Sequence, residues 1–157
     1  FEEIVAGYQQ PNIQLRLLLV PAINGATVLD DTYNANPASS LAALNLLDEL
    51  DARRKVAVFG DMMELGDFEL EGHRMVGDRA SQVVDEPFVM GERARIIGVQ
   101  AQQARPSLPV TYLNDKPGLL AALRDGLRDG DLVLIKGSRS LALETLVADL
   151  RDDRGEE

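Results

Sequence analysis

Cysteine and tryptophan are absent from the 157-residue sequence, and it has a single histidine, His73. The lack of cysteine excludes a disulfide framework, a thiolate metal site and a cysteine nucleophile. One histidine excludes a metal centre built from several histidines. With 16 basic against 26 acidic residues, the formal net charge is -10. This charge argues against a partner that is a nucleic acid or an anionic membrane, although a local basic patch can still hold a phosphate.

Long apolar runs are also absent. The longest, residues 17–23, is interrupted by Pro21, so the sequence predicts no membrane-spanning helix. Residues 1–7 carry acids and no basic segment, unlike a signal peptide. Because the chain begins with Phe1 rather than Met, we expect a fragment or a processed product.

Aliphatic residues are plentiful: hydrophobic residues make up 45% of the chain and aromatic ones only 4%. Short apolar segments alternate with longer stretches of helical periodicity, which predicts an α/β fold with a Rossmann-like, mainly parallel sheet and helices on both faces. Asn24-Gly25 predicts an antiparallel N-terminal hairpin between strands at 14–20 and 26–31. Further strands are predicted at 55–59, 87–90, 110–113 and 132–135, and helices after Asn36-Pro37 and at 68–84, 92–103, 117–127 and 141–150.

Three parts are predicted along the chain. Residues 1–8 have the pattern of the end of a helix, closed by polar residues 9–12, so we place a domain boundary or linker within residues 1–12. Residues 13–151 are predicted to form the α/β domain. Residues 152–157 are predicted to be a charged, frayed tail.

Ligand sites of open α/β sheets lie at the carboxyl ends of the strands, and the first predicted strand end is unusually polar. Residues 30–37 read Asp-Asp-Thr-Tyr-Asn-Ala-Asn-Pro. A turn needs one or two polar residues rather than six, which favours a binding role. Capping is the alternative for two of them: Asn36 can cap the helix that begins at Pro37, and Asp31 can accept hydrogen bonds from loop amides.

Two further polar segments follow later strands. In the 60–66 loop, Gly-Asp-Met-Met-Glu-Leu-Gly, two glycines flank Asp61 and Glu64. These acids can be solvated or, with Asp67, Glu69 or His73, can hold a divalent cation. The 136–140 segment, Lys-Gly-Ser-Arg-Ser, has two cations and two hydroxyls before a helix, which suits a carboxylate or a phosphate. A solvated basic turn is the alternative. It is not a Walker A loop, because the lysine precedes the glycine, and no Gly-x-Gly-x-x-Gly follows any strand.

Taken in order, VLDDTYNANP at 28–37, VFGDMMELG at 58–66, His73 with Val76-Gly77, and LIKGSRS at 134–140 resemble the C-terminal domain of the Mur ligase family of bacterial peptidoglycan synthesis. They are most similar to the branch that joins D-Ala-D-Ala to UDP-N-acetylmuramoyl-tripeptide. The resemblance implies a cytoplasmic, ATP-dependent ligase. In that family ATP phosphorylates the tripeptide carboxylate, and the dipeptide amine then attacks the acyl phosphate.

The same resemblance implies that essential parts lie outside this sequence. Family members have an N-terminal UDP-sugar domain and a central ATPase domain that carries the Gly-x-Gly-Lys-Thr phosphate loop and the Mg²⁺ ligands. Neither the phosphate loop nor an evident magnesium site occurs here. We therefore expect residues 1–12 to end the central ATPase domain, and the fragment to have no catalytic residue or metal ligand and to be inactive alone.

The family pattern also implies roles for particular residues. Asp31 would bind the ribose hydroxyls of ATP, since a carboxylate suits a vicinal diol, and Arg16 the phosphate–ribose region. The full set implied for ATP is Arg16, Asp31, Tyr33, Asn34 and Asn36. The set implied for the dipeptide is Asp61, Glu64, Lys136, Ser138 and Arg139, where either Lys136 or Arg139 would meet the terminal carboxylate.

Two alternatives stay open. The first is the same domain of another Mur ligase or of a folylpolyglutamate synthetase, with a different amine substrate. The second is a stand-alone acidic α/β binding module that has lost catalysis. A phosphate-loop domain encoded upstream would distinguish an enzyme domain from a free-standing module.

Overall fold

Strands and helices alternate along the computed structural model, which describes residues 3–4, 9–10, 13–14 and 17–152. The strands are β1 (Glu3–Ile4), β2 (Gln9–Gln10), β3 (Ile13–Gln14), β4 (Leu18–Pro21), β5 (Thr27–Asp31), β6 (Arg54–Gly60), β7 (Glu86–Met90), β8 (Thr111–Leu113) and β9 (Asp131–Lys136). The helices are α1 (Pro37–Glu49), α2 (Glu69–Val83), α3 (Ala94–Ala104), α4 (Lys116–Gly126) and α5 (Glu144–Leu150).

Within the described residues, one sheet of seven strands has the order β1-β4-β5-β9-β6-β7-β8. Strands β5, β9, β6, β7 and β8 run parallel to one another, whereas β4 is antiparallel to β5 and β1 to β4. β2 and β3 form a separate antiparallel pair. This architecture confirms the predicted fold class, and it inserts the last strand, β9, between β5 and β6.

Two apolar cores cover the two faces of the sheet. Successive strand residues point to opposite faces, so Leu29 and Leu134 belong to one core while Val28 and Ile135 belong to the other. The first core packs against α1, α2 and α3, and the second against α4 and α5. Neither core includes a tryptophan, and Leu, Val, Ile and Ala supply most of the buried side chains, as composition predicts.

The predicted hairpin is confirmed, but its turn is longer than two residues. Pro21 pairs with Thr27, and a 3₁₀ turn at Ile23–Gly25 closes the loop between them. Asn24 (φ 61°) and Gly25 (φ 81°) both adopt the left-handed conformation, in which glycine is unstrained and asparagine is tolerated. The side-chain amide of Asn24 donates to the carbonyl of Leu127 (3.1 Å), which ties the turn to the end of α4.

The predicted helix at residues 1–8 is wrong at the two positions that the structure describes there. Glu3 and Ile4 form β1 and pair with Leu19 and Leu18 of β4. Strand pairing to an existing edge outweighs a local helical pattern, because propensity is a weak signal beside tertiary contacts. The domain boundary within residues 1–12 stays a prediction.

At the amino edge of the sheet, Arg54 links three elements. Its guanidinium donates to Asp131 (2.6 and 3.0 Å), to Glu86 (2.7 Å) and to the carbonyl of Gly126 (2.6 Å). Asp131 is only 3% exposed, so this bidentate pair fixes β9 to β6 and to the end of α4. The charged side chains of Arg54, Asp131 and Glu86 therefore hold the sheet and α4 together at this edge.

Candidate functional site

The three polar segments meet at the opposite, carboxyl edge of the sheet. Because β9 lies between β5 and β6, the ends of these strands are neighbours. Asp31 at the end of β5 is in register with Lys136 at the end of β9, and Phe59 of β6 is in register with Lys136 on the other side. Segment 30–37, the 60–66 loop and segment 136–140 therefore form one continuous edge.

Asp31 and Lys136 form a buried ion pair at the centre of this edge. The Lys136 ammonium donates to Asp31 Oδ2 at 2.6 Å and to the carbonyl of Asn34 at 2.8 Å. Their side chains are 5% and 2% exposed, respectively. Burial raises the pKa of Asp31 and lowers the pKa of Lys136, while their mutual attraction opposes both shifts. The sequence assigned these residues to two different ligands, whereas the structure joins them in one pair that also holds the 32–36 backbone.

A cleft of about 470 Å³ opens on the face of the edge that carries α5. Asp30 points into it, since it precedes Asp31 in β5 and so lies on the other face of the sheet. The Asp30 carboxylate accepts from the hydroxyl (2.8 Å) and the backbone amide (3.1 Å) of Thr32. The cleft is lined by Leu18, Asp30, Thr32, Tyr33, Arg139 and Glu144.

Tyr33 and Arg139 form the outer lip of this cleft. The Arg139 guanidinium lies 5.0 Å from the centroid of the Tyr33 ring, within cation–π range. Tyr33 is 54% exposed, so about half of this aromatic side chain faces solvent. A residue predicted to bind ATP and one predicted to bind the dipeptide thus share one surface.

Asn36 is the N-cap of α1, as the capping alternative predicts. Its side-chain oxygen accepts from the Ser39 amide (2.8 Å), and the Ser39 hydroxyl accepts from the Asn36 amide (3.2 Å). Pro37 follows at the first helical position. This reciprocal arrangement satisfies two backbone donors that a helix start leaves free, so the Asn36 side chain already has a structural use.

Asp61 is held inside the molecule and not aimed at the cleft. Its Oδ1 accepts from the backbone amide of Ala94 (2.7 Å), the first residue of α3, and its Oδ2 lies 3.6 Å from Arg93. Gly91 (φ 120°) permits this approach, because a Cβ there would lie 2.3 Å from Asp61 Oδ1. Glu64, by contrast, is exposed at the tip of the 60–66 loop.

His73 is fully buried in α2 beneath the 60–66 loop. Its Nε2 accepts from the Met62 amide (3.1 Å), and its Nδ1 lies 2.7 Å from the carbonyl oxygen of Glu69. The imidazole therefore serves the fold and not a metal. Among the described residues, no group of three or more acidic or histidine side chains is placed to hold a cation, so this part of the chain does not fit a Mg²⁺ site.

The remaining predicted residues divide between buried and exposed positions. Ser138 is buried, and its hydroxyl lies 2.8 Å from that of Ser140. Asn34 is exposed and contributes its carbonyl to Lys136. Arg16 lies outside the described residues. The ligand roles assigned to all these residues stay predictions.

Asp30, Thr32 and Glu144 line the cleft. Asp30 and Thr32 fall in the segment predicted to bind, but none of the three was assigned to a ligand. Strand alternation could have found Asp30, because Asp30 and Asp31 must point to opposite faces. Glu144 has no such signal in the sequence, since it reaches the cleft through the packing of α5 against β5.

These features define a class: a Rossmann-like α/β domain with a cleft at the carboxyl edge of its sheet, the edge at which such folds bind ligands. The chain belongs to the Mur ligase family, because its residues 15–139 match the family described as Mur ligase, glutamate ligase domain. It corresponds to the C-terminal domain of these ligases.

Curated relatives and a solved structure show which Mur ligases this chain is similar to. The chain is 36% identical over 138 residues to UDP-N-acetylmuramoyl-tripeptide–D-alanyl-D-alanine ligase of Bacillus subtilis (strain 168), covering 87% of this chain and 30% of that one. It is 40% identical over 129 residues to the ligase of the same name from Treponema pallidum (strain Nichols), covering 82% and 28%. The crystal structure of MurF ligase from Thermotoga maritima in complex with ADP aligns with a TM-score of 0.69 and 28% identity, covering 83% and 29%.

The chain spans about 30% of the length of the curated relatives it matches. Their activity is therefore that of longer proteins. Within the part of the chain that the structure describes, no helix is both long and apolar enough to cross a membrane.

Proposed function

We propose that this chain is the C-terminal domain of a bacterial cytoplasmic ligase that joins D-Ala-D-Ala to UDP-N-acetylmuramoyl-tripeptide with ATP. The observation that supports this most is the identity of 36–40% to relatives that carry that activity in their names. The family match over residues 15–139 includes segments 30–37 and 60–66 and most of segment 136–140, which the fold brings to one edge. Mg²⁺, the phosphate loop and the tripeptide site belong, in this proposal, to preceding domains, so the chain is inactive alone.

The groups that line the cleft suit parts of a nucleotide and an anion. The cleft lined by Asp30, Thr32 and Tyr33 offers hydroxyl, carboxylate and aromatic groups, the kinds that suit a ribose and a flat base. Arg139 is exposed and Lys136 is only 2% exposed and already paired. Arg139 is therefore the better candidate for an incoming anion, either a phosphate or the dipeptide carboxylate.

In this proposal Lys136 holds the binding segment in place and does not contact a ligand. By donating both to Asp31 and to the Asn34 carbonyl, it fixes the segment that carries Tyr33. A fixed binding surface lowers the ordering entropy paid when a ligand binds. Positioning of an amine against an acyl phosphate depends strongly on such preorganisation.

The gene sequence in frame upstream of the Phe1 codon is the first test. We expect a region encoding Gly-x-Gly-Lys-Thr, and we expect the complete protein to release ADP only when both tripeptide and D-Ala-D-Ala are present. D-Ala and L-Ala-L-Ala serve as control amines. A start codon directly before Phe1, or ADP release that is indifferent to the dipeptide, would overturn the proposal, the former in favour of a stand-alone binding module.

A further inference from the structure

The 60–66 loop is tethered to three helices on the α1–α3 face. The Ser40 hydroxyl of α1 donates to the sulfur of Met62 at 3.6 Å. The imidazole of His73 in α2 accepts from the Met62 amide at 3.1 Å. The amide of Ala94 in α3 donates to Asp61 Oδ1 at 2.7 Å. Together these contacts turn Asp61 and Met62 inward.

His73 differs from the other two tethers because it holds a backbone group of the loop. A backbone amide can only donate, so Nε2 must be the unprotonated acceptor. The proton is then on Nδ1, where it is donated to the Glu69 carbonyl at 2.7 Å. The ring is thus a neutral Nδ1–H tautomer that is 0% exposed. Without it, the buried Met62 amide would lose its partner, which is costly in a dry interior.

The fixed position of Met62 sets the direction in which residues 63–66 leave the core. The chain reverses through left-handed conformations at Glu64 (φ 62°) and Gly66 (φ 57°). Met63 is 36% exposed, and Glu64 is exposed as well. The loop therefore has a buried base, Asp61 and Met62, and a tip, Met63 and Glu64, that projects at the carboxyl edge.

We propose that His73 is a positioning residue: as a neutral Nδ1–H imidazole it locks the backbone of the 60–66 loop and so orients the Met63–Glu64 tip toward the incoming amine substrate. The part of this proposal that concerns substrate rests on the proposed ligase function. The tether itself rests on the geometry alone. His73 touches no reacting group in this scheme and acts only through Met62.

The tautomer can be tested in this chain directly, because His73 is its single histidine. With ¹⁵N-labelled histidine, NMR should show one protonated Nδ1 and one unprotonated, hydrogen-bonded Nε2. Amide exchange at Met62 should be slow in the wild type and in Val76→Ala, and fast in His73→Leu, at matched global stability. An Nε2–H tautomer, or Met62 exchange that is equal in all three, would overturn the tether.

Kinetics of the complete ligase test the consequence for substrate. His73→Leu should raise the KM for D-Ala-D-Ala by about ten- to a hundred-fold, since small displacements have effects of that size, and leave the KM for ATP unchanged. His73→Gln, which keeps an acceptor for Met62, should recover most of the loss. Val76→Ala removes buried methyl groups one turn further along α2 and serves as the matched control. It should leave both KM values unchanged.

Different results would contradict the proposed ligase function and the positioning role of His73. If the wild-type protein has no D-Ala-D-Ala ligase activity, the proposed function is wrong while the NMR and exchange results still decide the tether. If the wild type is active and His73→Leu lowers only kcat, or raises both KM values equally, His73 is a general structural residue and the positioning role is wrong.

Discussion

Asp31 and Lys136 lie opposite each other on two parallel strands and meet at 2.6 Å, in an ion pair that is almost completely buried. Desolvation opposes the charged form of each partner, as the directions of their pKa shifts indicate. A buried pair of this kind adds little net stability, yet the loss of one partner leaves an uncompensated charge.

Lys136→Met should therefore destabilise the domain by about 3–5 kcal/mol, the usual cost of breaking a buried pair. The double variant Asp31→Leu with Lys136→Met should recover most of that loss, because no charge is left buried. Urea denaturation measures both. Arg53→Ala breaks a pair whose side chains are 76% and 74% exposed and should cost about 0–1 kcal/mol. A Lys136→Met variant as stable as Arg53→Ala would contradict the role of this pair.

Asn36→Ala should lower the free energy of unfolding by about 1 kcal/mol through loss of the α1 cap. Asn36→Ser keeps a capping oxygen and should preserve stability. ADP titration of the same variants then separates capping from binding. If Asn36→Ser keeps stability but binds ADP as the wild type does, Asn36 is a cap only.

Asp61 and Gly91 should be energetically coupled. Asp61→Ala removes the acceptor for the Ala94 amide and should cost about 1–3 kcal/mol. Gly91→Ala places a Cβ 2.3 Å from Asp61 Oδ1 at a φ of 120°, so it carries both a clash and backbone strain. In the Asp61→Ala background only the strain remains, and the double-mutant cycle should be non-additive. Simple additivity would show that the two residues do not interact.

Arg139→Ala should lower the free energy of unfolding by no more than about 1 kcal/mol, since the side chain is exposed and loses a surface cation–π contact with Tyr33. In the complete ligase the same change should raise the KM for its anionic ligand about ten-fold or more, the value of a charge-assisted hydrogen bond. Comparison of KM for ATP and for D-Ala-D-Ala identifies that ligand. Unchanged values for both would remove Arg139 from the site.

Tyr112 should make stability fall at alkaline pH. Burial raises the pKa of its phenol above the ordinary 10.0, although the nearby Arg95 lowers it in part. The neutral hydroxyl donates to Gln102 Oε1 at 2.8 Å. For a group whose folded pKa is raised, the contribution is complete below pH 10 and is lost as pH rises through the folded value.

Tyr112→Phe lacks this titration. Its stability deficit of about 1 kcal/mol should therefore be constant below pH 10 and shrink above it. Urea denaturation across that range, with the absorbance of tyrosinate as a second signal, measures the difference. A deficit that stays the same above pH 10 would contradict the raised pKa.

Local patterns were enough to predict much of the fold. Asn24-Gly25 marked the hairpin, and Asn36-Pro37 marked the start of α1. The pairing of Asp31 with Lys136 had no local signal, because it depends on β9 entering the sheet between β5 and β6. Asp61 likewise caps α3 across a distance of 33 positions in the chain. Both contacts depend on the order of the strands and on how the helices pack. The periodicity of one segment carries no information about either.

The central place of β9 also sets an order of events in folding. β5 and β6 do not pair with each other, and both wait for a strand that begins at Asp131. Until it arrives, each presents an unpaired inner edge, which is a site for mispairing between chains. Contacts so distant in sequence slow folding. During synthesis the two half-sheets are therefore not joined until β9, the most C-terminal strand of the described sheet, emerges, and we expect a chaperone that shields those edges to raise the yield of folded protein.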